Sequence, residues 1–286
     1  LHGYKGKILL LGGTAEGYAL AEYLVRTSAN IITSLAGRTK NPRLPAGQVR
    51  IGSFGGVDGL TDYLRREDIR LVIDATHPFA TQISANTIAA ASQTGISLLR
   101  LERPSWQQQE GDNWIDAATP EEAAAVIPEG ARIFLAIGRQ YLAAFSHRHD
   151  LCFVARMLEL PAMIPPFRTL QIILGKPENT EDESRFLMEN RIGCIVCRNS
   201  GGKASYSKII AARQLGLPVI MIGRRPIVST VLVTSVEEAM NYIHNHDFIR
   251  KSIDCITPAS GDGFTYKAQN RKKKNRKKTG APWPDQ

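Results

Sequence analysis

The sequence of 286 residues predicts an α/β protein: two Rossmann-like, doubly wound parallel-sheet domains with a cleft between them. Three observations carry that expectation. Short apolar runs rich in Ile, Leu and Val alternate with helix-like segments, the pattern of buried parallel strands and their crossover helices. The alternation pauses at a linker-like stretch, Glu102-Arg-Pro-Ser-Trp-Gln-Gln-Gln-Glu-Gly-Asp112, and then resumes. Glycine turns follow strands in both halves, as they do where open sheets bind ligands. The expected division is residues 1–104, a nucleotide-binding domain, 105–250, a second α/β domain, and 251–286, a basic tail.

In the first half, Lys7 to Leu11 reads as a strand, Ala15 to Thr27 as a helix and Asn30 to Ala36 as a second strand. Gln48 to Ile51 is a short third strand and Asp58 to Glu67 a helix. Ile69 to Ile73 is the fourth strand, followed by helix Thr81 to Thr94. Gly95 is a good helix stop and leads into strand Ile96 to Leu101. In the second half the expected strands are Arg132 to Ile137, Leu151 to Met157, Thr169 to Leu174, Ile192 to Cys197 and Pro218 to Ile222. Helices are expected from Arg139 to Phe145, Glu181 to Glu189, Lys203 to Leu215 and Val236 to Asn245.

Composition bounds the function. An apolar content of 43% supports a real core. No stretch approaches the roughly 20 consecutive apolar residues of a membrane helix. Leu1-His-Gly-Tyr-Lys5 leads straight into a strand, so no leader peptide is expected and the predicted location is cytoplasmic. The net charge of +9 is unevenly spread: residues 262–286 carry +6, leaving +3 for everything else. That tail is low in apolar residues and is expected to be a solvated, disordered extension. The globular part offers no basic, aromatic-interleaved stripe, so no specific nucleic-acid partner is expected. Cys194 and Cys197 form a C-x-x-C, but on a strand a spacing of three points the thiols to opposite faces. They read as buried small hydrophobes, and no metal site is expected.

Asp74-Ala-Thr-His-Pro-Phe-Ala80 follows the fourth strand. Asp74 and His77 would then sit at the carboxyl end of a strand, where ligands of open sheets bind. Pro78 holds His77 out of the following helix. Read alone, Asp74 could equally cap that helix, with His77 packed in the loop. Gly12-Gly13-Thr14-Ala15-Glu16-Gly17 joins the first strand to the first helix, where glycines permit close backbone approach and helix amides face a phosphate. Beyond the second strand stand Arg38 and Thr39 with no acidic residue nearby, which points to NADP over NAD. Gly52-Ser53-Phe54-Gly55-Gly56 is a further loop on that edge. Arg198-Asn199-Ser200-Gly201-Gly202-Lys203 repeats the strand, glycine turn and helix start, with Ser200 as a possible cap. Arg100, Arg103, Arg139, Arg156, Arg198 and Arg224 fall near strand ends or the linker, a supply of charge suited to a polycarboxylate.

Gly12 to Glu16, Ser34-Leu-Ala-Gly-Arg-Thr39, Asp74 to Ala80, Asn199 to Gly202 and Ala211-Ala-Arg-Gln-Leu-Gly-Leu-Pro-Val219 together resemble the precorrin-6A reductase family of cobalamin biosynthesis. The resemblance runs in order from about residue 6 to Pro226, continues to about 250, and excludes the tail. Arg198 departs from it, standing where a Lys is expected. The resemblance implies NADPH-dependent reduction of one ring double bond of precorrin-6A, giving precorrin-6B, or the same step on the cobalt-bearing intermediate. It implies a tetrapyrrole substrate; a monomer or weak homodimer is expected. The candidate cofactor residues are Gly12, Gly13, Thr14, Ala15, Glu16, Arg38, Thr39, Gly55 and Thr76. The candidate substrate residues are Arg139, Arg198, Asn199, Ser200, Gly201, Gly202 and Lys203, and the candidate catalytic pair is His77 with Asp74. His77 is the group in that motif with an ordinary pKa near neutrality, suited to donating a proton. Two other readings stay open on the residues: another NADP-dependent reductase or epimerase of a small acidic substrate, and a non-enzymatic NADP(H)-sensing or nucleic-acid-binding protein.

Overall fold

A computed structural model describes residues 7–37, 42–161, 163–175, 179–227 and 231–246, all within one compact unit. The expected basic tail lies outside them. Strand β1 (Lys7–Leu11) leads through Thr14 into helix α1 (Ala15–Arg26). Thr14 Oγ1 accepts from the Gly17 amide at 3.1 Å, the N-cap that starts the helix. Gly17, Leu20, Ala21 and Leu24 give α1 its buried stripe. Strands β2 (Ile31–Leu35) and β3 (Gln48–Ile51) follow, then helix α2 (Gly56–Arg66). Helix α2 begins two residues before the expected Asp58, because Gly55 turns the chain at φ 82°. Strand β4 (Ile69–Asp74), helix α3 (Thr81–Thr94) and strand β5 (Ser97–Leu101) complete the first half, with Gly95 as the left-handed cap of α3.

Strand β6 (Asn113–Ala117) and helix α4 (Pro120–Ala125) come next, neither foreseen from sequence. Strand β7 (Arg132–Ala136) runs into a 3-10 helix, Arg139–Phe145, then strands β8 (Cys152–Met157) and β9 (Leu170–Leu174). Helix α5 (Thr180–Glu189) and strand β10 (Cys194–Arg198) precede a short 3-10 turn, Lys203–Ser205. Helix α6 (Ser207–Gln214), strand β11 (Pro218–Ile222), strand β12 (Val231–Val233) and helix α7 (Val236–Asn245) end the described chain.

All strand pairs are parallel and form two six-stranded sheets, ordered β3-β2-β1-β4-β5-β12 and β9-β8-β7-β10-β11-β6. The doubly wound, Rossmann-like expectation therefore holds. The outer strands are exchanged, however. Strand β6, which precedes the second sheet's own series, closes that sheet beside β11, while β12 returns to the first sheet beside β5. Residues 231–246 thus belong by pairing to the first sheet, whereas the sequence expectation put them with the second half. Helix α7 confirms the return: Tyr23 Oη of α1 meets His244 Nε2 at 3.2 Å.

Each sheet carries an apolar core on both faces. Cys194 faces one core of the second sheet and Cys197 the other, as strand geometry requires. Burial pushes both thiols up to about 11, the condition of inert packed cysteines. No cluster of metal-ligating side chains occurs among the described residues, and no helix there is long and apolar enough to cross a membrane.

Candidate active site

The carboxyl ends of β1, β2, β3 and β4 open onto a cavity of about 530 Å³, inside the range of roughly 300–1,000 Å³ usual for small-molecule sites. Leu11, Gly12 and Gly13 form one wall, Ser34 and Ala36 a second, and Gly52, Ser53, Phe54 and Gly56 a third. Thr76, His77 and Phe79 from the loop after β4, with the first turns of α3, close the other side. Gln140 and Tyr141 reach in from the second sheet, a contribution the sequence did not signal. Tyr141 Oη donates to Phe79 O at 3.2 Å, which ties that wall to the first sheet.

The chemistry of this wall fits a dinucleotide. Gly13 has φ 110°, and a Cβ placed there would meet nothing within 4 Å, so the backbone is bare on the cavity side. Thr14, besides capping α1, donates to Ala75 O at 2.7 Å and so pins the glycine turn against the β4 loop. The amino end of α1, starting at Ala15, brings helix amides to the same place. No carboxylate lines the cavity among the described residues, which suits a phosphate-bearing ligand. Glu16 is used otherwise: its Oε2 accepts from Arg103 Nη1 at 2.7 Å, which ties α1 to the linker. Gly55 caps α2, next to the lining residues Phe54 and Gly56. Arg38 and Thr39 lie outside the described residues.

Asp74 is 2% exposed. Its Oδ1 accepts from the amide and hydroxyl of Thr76 at 3.0 and 2.6 Å, and its Oδ2 meets Arg100 Nη1. Arg100 also reaches Glu102 at 2.6 Å, and Glu102 receives Arg224 Nη1 at 2.9 Å. Asp74, one of the candidate catalytic pair, is thus held in a buried ion pair. Its effect on the cavity is to hold Thr76 in place.

His77 lines the cavity, and its Nδ1 accepts from the Phe79 amide at 3.2 Å. Burial, then the charges of Arg198, Arg103 and Arg224, lower its pKa to about 3. The ring is neutral at physiological pH, with Nδ1 an acceptor and the proton on Nε2. Burial first, and then three guanidiniums from the linker and the second sheet, disfavour the imidazolium here, away from the ordinary value near neutrality on which the sequence expectation drew.

The candidate substrate residues separate into two groups. Asn199 receives the Trp106 amide at 2.7 Å and donates to Trp106 O at 2.9 Å, clamping the linker. Ser200 O accepts from Arg103 Nε at 2.7 Å, and no side-chain cap starts either the Lys203 turn or α6. A Cβ on Gly201 would lie 2.0 Å from Pro104 O, and one on Gly202 3.2 Å from the Arg103 guanidinium. These residues build the joint between the halves; the expected cap by Ser200 is not made. In the other group, Arg139 is exposed beside Gln140, and Arg198 lies 5.0 and 5.1 Å from the Phe79 and Tyr141 rings. Lys203 is exposed on a separate cavity of about 270 Å³ with Trp106 and Tyr206. Arg100, Arg103, Arg156 and Arg224 each bind a carboxylate of the chain itself, so the cleft offers less free charge than their spacing promised.

A family model described as precorrin-6x reductase CbiJ/CobK matches residues 7–244, nearly the whole described chain. The chain belongs to the precorrin-6x reductase family. Within it, a precorrin-6A reductase of Rhodococcus erythropolis is 45% identical over 77% of this chain and 90% of its own length. One of Rhodobacter capsulatus is 39% identical over 84% and 96%. A solved CobK precorrin-6A reductase superposes with a TM-score of 0.80 at 39% identity, covering 84% of this chain and 97% of that one. The family's match spans both sheets and the exchanged strand β12.

Proposed function

We propose that this protein reduces one ring double bond of precorrin-6A with NADPH to give precorrin-6B, a step of cobalamin biosynthesis in the cytoplasm. The observation that carries the reading is a family match spanning an acid-free, glycine-walled cavity at the switch point of the first sheet. NADPH when bound supplies the hydride. Solvent water supplies the proton that completes the two-hydrogen reduction, and the chain's own residues bind and orient the reactants. The Gly12–Gly13 turn and the start of α1 hold the pyrophosphate. Thr76, held by Asp74, borders the reacting end, and neutral His77 offers a hydrogen bond from Nε2 there. Arg139, Arg198 and Lys203 serve the substrate's carboxylates, with Arg198 charged but geometrically different from a lysine.

Relatives named precorrin-6A reductase share 39–45% identity with the chain, and those named cobalt-precorrin-6A reductase 25–31%. That gap supports the cobalt-free substrate. Incubation with NADPH and purified precorrin-6A, with cobalt-precorrin-6A in parallel, tests both parts. A two-hydrogen mass gain on the cobalt-free compound is expected. No gain on either compound refutes the function; faster gain on the cobalt compound refutes the substrate choice.

A further inference from the structure

One wall of the cavity holds a cation whose charge no carboxylate among the described residues balances. Arg50 lies on β3, register partner of Ser34 at the end of β2. In sheets of this order, that strand end receives the ribose that carries the 2′ group. Arg50 Nη1 donates to Gly52 O at 2.6 Å and to Ser34 Oγ at 3.3 Å, and Nη2 donates to Ser53 O. Its Cζ lies 3.7 Å from the centroid of the Phe54 ring. Ser34, Gly52, Ser53 and Phe54 all line the cavity, so the guanidinium is built into its wall.

Arg100, Arg103, Arg156, Arg213 and Arg224 each reach a carboxylate, but Arg50 reaches none among the described residues. Two carbonyls, a hydroxyl and the rings of Phe54 and Tyr63 meet it. A cation partly withdrawn from water and met by neutral groups alone is costly, and an anion would offset that cost. Burial draws its pKa down, with Tyr63 opposing and Arg66 adding to the shift. Three of its five N–H donors are taken, leaving a guanidinium edge for a phosphate oxygen.

We propose that Arg50 recognises the 2′-phosphate of NADP(H) and so contributes to the choice of cofactor. The proposal rests on the reading of this cavity as the dinucleotide site. Arg50 also braces the Gly52–Ser53 loop, so loss of the side chain alone does not separate charge recognition from loop support. The ratio of the two cofactors' affinities does separate them.

The full chain and its Arg50→Gln and Arg50→Lys variants are titrated with NADP⁺ and NAD⁺ by calorimetry, each checked for folding by thermal melting. For Arg50→Gln the NADP⁺ Kd should rise about 30-fold or more and the NAD⁺ Kd less than about 3-fold. Arg50→Lys, which keeps the charge but not the fork, should lose about 3- to 10-fold on NADP⁺ alone; it decides the matter if the Gln variant does not fold. Equal weakening of both cofactors in the folded variants overturns the proposal and leaves Arg50 a loop brace. A wild-type chain that binds NAD⁺ as tightly as NADP⁺ overturns both this proposal and the NADPH reading. A wild-type preference for NADP⁺ that survives in the variants overturns the role of Arg50 alone.

Discussion

Replacing Asp74 by Asn and by Ala separates a buried brace from a reacting group. Asp74 and Arg100 side chains are each 3% exposed. Removing one member of a buried pair costs about 3–5 kcal/mol, because the other charge stays buried. Arg100 keeps Glu102 and the Ser84 hydroxyl at 2.8 Å, which places the charge loss at the low end of that range. The Ala change also deletes the acceptor of two Thr76 hydrogen bonds, each worth about 1 kcal/mol. Asp74→Ala should therefore lose about 4–5 kcal/mol, and Asp74→Asn, which retains an Oδ1 for Thr76, about 2–3 kcal/mol. Against a total of roughly 5–15 kcal/mol, the Asn variant should still fold. Urea unfolding followed by circular dichroism gives the stability, and turnover of precorrin-6A gives kcat. The Asn variant should keep kcat within about tenfold, since Thr76 stays where it is. An Asn variant within about 1 kcal/mol of wild type whose kcat falls 100-fold or more would refute the brace and return Asp74 to the chemistry.

Acid should weaken the fold through His77. Its folded pKa of about 3 lies below the unfolded value of 6.5, so between those pH values the unfolded chain binds a proton that the folded chain refuses. Stability contributed by this site is complete above pH 6.5 and falls by about 2–3 kcal/mol on going to pH 4.5; His77→Gln should remove that part of the slope, and an NMR titration of His77 centred near pH 6.5 would contradict the argument. Gly201→Ala combines φ 70° with a Cβ only 2.0 Å from a backbone carbonyl of the linker. It should cost about 3 kcal/mol or more and loosen the joint between the halves, and unchanged melting would show that the linker can move aside. Single Arg139→Ala and Lys203→Ala changes should raise the KM for the tetrapyrrole by about tenfold with NADPH binding intact. Loss of NADPH binding in either would mean that the two halves are assigned the wrong way round.

Much of this architecture can be read directly along the chain. Four strands in each half announce themselves as apolar runs because inner parallel strands are buried on both faces, as Leu9, Val72 and Val196 are. Thr14 and Gly95 mark a helix start and stop by local hydrogen bonding and backbone freedom alone. The glycine turn after β1 and the loop after β4 fall at the cavity for the same reason: position at a strand's carboxyl end is a property of the sequence order. Edge strands are another matter. Strand β6, Asn113–Ala117, mixes polar and apolar residues, and β12 is three residues long with Val231 and Leu232 exposed. Neither carries a periodic signal strong enough to stand out.

The sequence by itself determined the class of fold, the two halves, the loops that line the cavity and the family resemblance, because each is written in short-range pattern. Only the tertiary structure decided which sheet each outer strand joins, since β6 and β12 pair with strands chosen by long-range packing. It also decided how the charged groups are spent. Arg103 meets Glu16 across 87 residues, Arg224 meets Glu102 across 122, and Asn199 clamps Trp106 across 93. A charge in sequence has no assigned partner, and its role follows from whichever opposite charge or dipole the fold brings within reach. The same holds for His77, whose ionisation is set by burial and by three arginines that converge on it from the linker and the second sheet.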